Sequence, residues 1–283
     1  MRSSATLLHA KWLGSTGFTY LQSTERNEGG DMLFCPIAPI AHLDKIWKYR
    51  SHMVLPQLWE DSIYRSFYKE ARERGDFVVL DNGAYEGTLL PLRELCRVAA
   101  DLRPTVIVLP DVLGDYQKTE ELSRKALPKL SKYAPCMQVV QGRDLTEVTL
   151  ALMKVRTPWV GLPRLLGDCA FLGDARADRR PSLLPYLRHK LVHLLGWVGD
   201  PRELDGLHGV VSVDTAAPIW RGLHGYSLYD TTWPDVPFDP HSKMEWCTQA
   251  DINLAKMQEH CELGGVRCNL KWVPHSSCTG SGT

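Results

Sequence analysis

The run VVLDNGAYEG at residues 78–87 constrains this chain more than any other stretch. A β-branched apolar segment stops at Asp81 and turns at once, through a glycine, to the aromatic Tyr85. Two later runs are built alike: VIVLPD ends in Asp111 and GVVSVD ends in Asp214. Buried parallel strands read as short apolar runs, and α/β enzymes carry their chemistry at the strands' carboxyl ends. Three acids delivered in this way predict one acidic pocket.

Apolar runs recur along the chain with amphipathic segments between them. Strands are expected at 32–37, 77–81, 105–110, 136–141, 158–162, 191–196 and 209–214, with an eighth near 224–229 or 269–273. Helices are expected at 58–74, 90–102, 118–132, 145–155, 181–190 and 248–263; Leu92, Leu95, Cys96 and Ala99 show the i, i+3, i+4, i+7 stripe. Alternation of this kind over 283 residues predicts an α/β fold, a compact (β/α)8 TIM barrel. A doubly wound open sheet is the rival, but no G-x-G-x-x-G or P-loop follows the first strand. Residues 1–30 read as an N-terminal appendage, 31–273 as the barrel and 274–283 as a flexible tail. The stretch from Arg164 to Arg180 reads as a long loop at the catalytic end, and 230–247 as a Pro- and Trp-rich excursion.

Lys plus Arg and Asp plus Glu both number 33, so there is no global basic field to attract nucleic acid, although a local basic rim leaves no trace in the total. No apolar run approaches the ~18 residues of a membrane span, and a soluble, cytoplasmic protein is expected. Eight cysteines occur without a C-x-x-C pair. Cys35, Cys96 and Cys136 lie in or beside apolar runs and read as small core residues. Cys247, Cys261, Cys268 and Cys278 are weak zinc candidates, since their spacings match no common zinc pattern.

In a barrel the strand ends converge, here bringing together Asp81, Asp111, Gln141, the Gly161-Leu162 backbone, Leu195-Gly196 and Asp214. Two carboxylates in one pocket can divide the roles of nucleophile and general acid/base, as glycosidic-bond chemistry requires. The other groups suit a planar, nitrogen-rich ring: an acid to accept from its N–H edge, Gln141 to donate and accept, Tyr85 to stack. Each has a plainer reading. A lone Asp after a strand is more often a helix cap, as expected for Asp115 or Asp200; Gln141 can cap a loop, and Tyr85 can pack under a helix.

These motifs resemble those of the tRNA-guanine transglycosylases. DNGAY is similar to their D-S-G-G-F/Y, QVVQG to I-V-Q-G-G, VGLPR to G-G-L-A-V-G, HLLGW to Y-L-M-G-V-G, and SVDTAAP to F-D-C-V-x-P. Order and rough spacing hold from about residue 77 to 218. The compact length most resembles the phage and bacterial branch that exchanges guanine in DNA for a 7-deazaguanine. The resemblance implies that Asp214 is the nucleophile at the sugar C1′ and Asp81 the general acid/base. It implies that Asp111, Gln141 and the Gly161-Leu162 backbone read the base edge while Tyr85 and Leu195 sandwich its faces. It implies no cofactor for the chemistry.

The chain departs from the family in two places. The C-x-C-x-x-C zinc signature with its distant histidine is absent, and APIWRG replaces P-T-R-x-A-R after the nucleophile, leaving Arg221 as a phosphate contact. The zinc subdomain belongs to the tRNA-binding apparatus, so its loss points from tRNA towards DNA. The expected activity is therefore a DNA base transglycosylase that takes free 7-cyano-7-deazaguanine (preQ0) or a relative and acts on a flipped or single-stranded guanine. Arg164, Arg176, Arg179, Arg180 and Arg221 are the expected backbone contacts. The alternatives are a tRNA-guanine transglycosylase, a catalytically silent nucleic-acid-binding barrel, and an unrelated barrel enzyme acting on a small metabolite.

Overall fold

Eight short strands form one parallel sheet: β1 (Leu33–Pro36), β2 (Ser51–Val54), β3 (Phe77–Leu80), β4 (Val106–Val108), β5 (Cys136–Val139), β6 (Trp159–Pro163), β7 (Leu191–Leu195) and β8 (Val210–Thr215). The computed structural model describes residues 32–163 and 180–263, apart from Glu86, Thr88, Gly199, Gly206, His208 and Asp235. The expected appendage 1–30, the tail 274–283 and the positions Arg164, Arg176 and Arg179 lie outside these residues.

The hydrogen-bonded order β1-β8-β7-β6-β5-β4-β3-β2 is parallel throughout, and β1 and β2 stand side by side at its two ends. The result is a nearly closed (β/α)8 barrel, not the open doubly wound sheet. Between β1 and β2 there is no ladder, but Ser51 Oγ donates to the Phe34 carbonyl at 2.5 Å across the gap.

Side-chain alternation builds two apolar layers from each strand. Cys35, Met53, Val79, Val108, Met137 and Trp159 fill the barrel interior. Phe34, Val54, Leu80, Ile107, Val160 and Leu194 face outward into the helices. Burying each such side chain contributes about 1.5–3 kcal/mol.

The helices are α1 (Leu43–Ile46), α2 (Ser62–Glu73), α3 (Leu92–Leu102), α4 (Tyr116–Leu130), α5 (Leu145–Lys154), α6 (Ala217–Leu223) and α7 (Thr248–Leu263). Aspartates start three of them: the carboxylates of Asp61, Asp115 and Asp144 accept from backbone N–H groups of the first turn. Asp115 is thus the cap expected of it, and Asp200 caps the 3-10 turn Pro201–Leu204. The stripe on α3 packs inward, with Leu95 and Ala99 buried and Leu92 and Cys96 partly buried against the core. Helices α6 and α7 cross so closely that a Cβ added at Gly222 would lie 2.4 Å from the Ala250 Cα.

Two expectations are corrected. Residues 224–229 contain turns and no strand, 269–273 lies outside the described residues, and the eighth strand is β2. Its polar start disguised it, yet Ser51 and His52 are both buried. His52 is bonded from outside the strand on one nitrogen only: its Nε2 lies 3.1 Å from Asp76 Oδ2, while its buried Nδ1 has no hydrogen-bond partner among the described residues. Asp76, just before β3, also accepts from Arg74 Nε at 2.9 Å, and Arg50 Nε lies 2.9 Å from its other oxygen. Burial raises the Asp76 carboxyl, but the bonds from His52 and Arg74 outweigh it and hold the group below the ordinary carboxylate range. The second correction is 181–190, which is a 3-10 segment, Arg180–Leu187, with Pro185 inside it. A proline there lacks the N–H of a regular α-helical turn.

The excursion 230–247 folds back on α6. Trp220 Nε1 donates to the Val236 carbonyl at 2.9 Å, and the Trp233 ring packs edge-on against His224 and Tyr226. No helix among the described residues is long and apolar enough to cross a membrane.

Candidate active site

The carboxyl ends of β3, β4, β5, β6, β7 and β8 carry the residues picked out by the sequence, so the barrel topology delivers them to one rim. Asp81 follows β3 and is part-buried. Its Oδ2 accepts from Gly83 N at 3.2 Å, while Asn82 Oδ1 accepts from Ala84 N at 2.7 Å. Both are side-chain-closed turns, and Gly83 takes a φ of +78° that side chains disfavour, which accounts for the glycine of DNGAY. Tyr85, next along the turn, is 61% exposed and does not pack under a helix.

Asp111 is buried and held on both oxygens. Asn82 Nδ2 donates to Oδ1 and Gln141 Nε2 donates to Oδ2, each at 2.6 Å. Asn82 Nδ2 also reaches the Leu109 carbonyl, and Gln141 Oε1 accepts from Gly114 N at 3.0 Å. Gln141 therefore braces a loop, as its plainer reading had it, and anchors Asp111 as well. Burial pushes the Asp111 carboxyl up, against the lowering effect of the two amides. A carboxylate has about four acceptor positions, so two remain for a ligand's N–H groups.

Asp214, near the end of β8, is buried. His193 Nε2 lies 2.9 Å from its Oδ1, and Gly196 N donates to the same oxygen at 3.2 Å. No described group bonds Oδ2. His193 is fully buried, and its Nδ1 lies 2.6 Å from Ser212 Oγ. A register shift in the β7–β8 ladder explains the reach: Val192 pairs with Val210 but His193 pairs with Ser212, so Val211 is the extra residue of a bulge. The bulge turns Ser212 and Asp214 to the side of the sheet that His193 occupies. Cys35 is the register partner of Asp214 on β1, and its thiol is pushed up first by burial and then by the Asp214 charge.

Gly161 and Leu195 meet on the neighbouring strands. A Cβ at Gly161 would lie 2.7 Å from Leu195 Cδ1 and 3.1 Å from Met137 Sδ, so the glycine makes room for the leucine. The Gly161 carbonyl accepts from Val140 N at 3.0 Å. The Leu162 side chain points out into the helix layer, so only its backbone borders the interior.

Arg221 donates to the Leu228 and Val198 carbonyls at 3.0 and 3.1 Å, an arrangement that ties loops together. Arg180 opens the 3-10 segment, and Arg164, Arg176 and Arg179 are outside the described residues. Of the zinc candidates, Cys247 donates to the Gly222 carbonyl and Cys261 is buried in the core; Cys268 and Cys278 are outside the described residues. Among the described residues, no group of three His, Cys, Asp or Glu side chains is placed to hold a metal.

Sequence reasoning missed Asn82, His193 and Ser212. A signal existed for His193: in LVHLL it occupies an interior position by alternation, two residues before Leu195, where an imidazole needs a partner. Neither a protein-family model nor a curated protein matches the chain.

Proposed function

We propose that this protein is a DNA base transglycosylase that replaces guanine with a 7-deazaguanine, 7-cyano-7-deazaguanine or a relative, through a covalent Asp214–sugar intermediate. The observation that carries the reading is the way Asp214 is held. One oxygen is fixed by His193 and Gly196, and the other has no partner among the described residues. An anchored carboxylate that keeps one oxygen for a substrate suits a nucleophile.

The chemistry is a double displacement. A lone pair of Asp214 attacks C1′, and the electrons of the C1′–N9 bond leave with guanine. The incoming base then loses a proton to Asp81 and attacks C1′ from the face guanine left, so the configuration is retained. Asp111, steadied by Asn82 and Gln141, accepts from the base's N–H edge, and Leu195 and Tyr85 cover its faces. A guanine within a duplex cannot enter such a rim, so the substrate is flipped out or single-stranded.

Mass spectrometry of nucleosides from DNA incubated with the protein and 7-cyano-7-deazaguanine tests the reading. The modified deoxynucleoside is expected; modified tRNA alone transfers the activity to RNA, and no exchange in either polymer defeats it.

A further inference from the structure

We infer that His193, locked by Ser212, is a positioning residue that selects which oxygen of Asp214 attacks and speeds breakdown of the covalent intermediate but not its formation. The inference rests on the transglycosylase reading given above.

A fully buried imidazole is costly unless both nitrogens are bonded, and here both are. A carboxylate oxygen only accepts, so His193 Nε2 carries the proton facing Asp214 Oδ1. In the neutral ring Nδ1 then accepts from the Ser212 hydroxyl, which fixes the tautomer and the ring plane. That contact exists because the β8 bulge turns Ser212 inward. With Gly196 N on the same oxygen, Oδ1 is occupied by two donors, and the attacking oxygen is Oδ2.

The consequences for the two steps are opposite. In the first, an Oδ2 lone pair forms the bond to C1′ while the C1′–N9 pair departs with guanine, and Oδ1 becomes the carbonyl oxygen of the resulting ester. Donors on Oδ1 hold the starting charge and blunt the nucleophile. In the second, the incoming nitrogen attacks C1′, its proton passes to Asp81, and the Oδ2–C1′ pair returns to the carboxyl group. Negative charge reappears on Oδ1, where the two N–H groups already wait. A histidine that merely filled space would affect both steps alike.

The test follows a labelled, guanine-containing single-stranded DNA by rapid quench and denaturing gel. It measures adduct formation, then adduct breakdown on adding 7-cyano-7-deazaguanine. For His193→Leu, breakdown is expected to slow by about 10- to 100-fold while formation changes by less than about threefold, so adduct accumulates. His193→Gln, which restores a donor, is expected to recover most of the breakdown rate, and Ser212→Ala to shift the ratio of the steps in the same direction as His193→Leu. Equal slowing of both steps, or no change, in a variant with the wild-type circular dichroism spectrum overturns the inference alone. If His193→Leu does not fold, the ratios for His193→Gln and Ser212→Ala decide: Ser212→Ala must raise the share of adduct and His193→Gln must not. A wild-type protein that forms no adduct with DNA or tRNA overturns the transglycosylase reading and this inference with it.

Discussion

Asn82 Nδ2 donates to Asp111 Oδ1 at 2.6 Å, so the residue following one acid of the rim anchors a second acid from the next strand. The turn after β3 therefore does two jobs: it presents Asp81 and Tyr85, and it fixes the group expected to read the base. With both Asp111 oxygens facing amide donors, Asp111→Asn must set an NH2 group against that of Asn82 or Gln141. The expected cost is about 1–3 kcal/mol, seen as a lower urea midpoint at unchanged slope, together with altered base selectivity. Unchanged stability would show that the amides reorient without penalty.

The networks around Asp111 and Asp76 predict opposite responses to acid. Burial raises the folded-state Asp111 carboxyl, so its contribution to stability is fully present below the unfolded value, about 4, and is lost as pH rises through the folded one. Asp76 is lowered, so its contribution is present above about 4 and is lost as pH falls through the folded value. Asp76→Asn leaves Arg74 and Arg50 beside a neutral group and is expected to cost about 3–5 kcal/mol near neutral pH. Denaturation series between about pH 2 and 7 should show a shallower acid limb for that variant than for the wild type. A parallel limb removes Asp76 as its source.

Gly222→Ala tests the crossing of α6 and α7, because the methyl group would collide with backbone atoms of Ala250, which cannot rotate away. A loss of at least about 1–3 kcal/mol is expected. Calorimetry should register it as a fall in Tm of about 2–4 °C for each kcal/mol. A wild-type melting curve would mean that the helices separate freely.

Gly161→Ala meets a different neighbour, the flexible end of Leu195. The leucine can swing away, so folding should change little while base binding weakens by about tenfold, the effect of roughly 1.4 kcal/mol. Titration with free 7-cyano-7-deazaguanine reads this directly, and equal affinity in the variant removes Leu195 from the base site.

Asp214→Ala is expected to abolish adduct with a labelled guanine-containing oligonucleotide. Asp81→Asn should let adduct form but slow its breakdown, because the incoming base then lacks a proton acceptor. Undiminished exchange by Asp214→Ala would end the double-displacement mechanism.

The barrel was legible because β-branched runs such as VVL and VIV need no context to declare themselves buried strands. Strand β2 was not, because Ser51 and His52 look solvated until Phe34 and Asp76 supply their partners from distant positions. The acids stood out for where they lie, each at the end of a run. Their supports did not: Asn82 reads as a turn residue, and His193 reaches Ser212 only through a bulge that no residue pattern announces. Arg221 shows the converse, since a charge near a presumed phosphate site gives no hint that its guanidinium also engages backbone carbonyls.

The unlaced edge between β1 and β2 has a bearing on how wide the rim can become. Going round the barrel, the shorter arc from Asp214 on β8 to Asp81 beyond β3 crosses that edge, where a lone serine hydroxyl stands in for a ladder. Every other joint on the ring is riveted by backbone pairing. The separation of Asp214 and Asp81 is thus set across the one joint that lacks backbone pairing among the described residues, and amide exchange is expected to be fastest along its two facing edges.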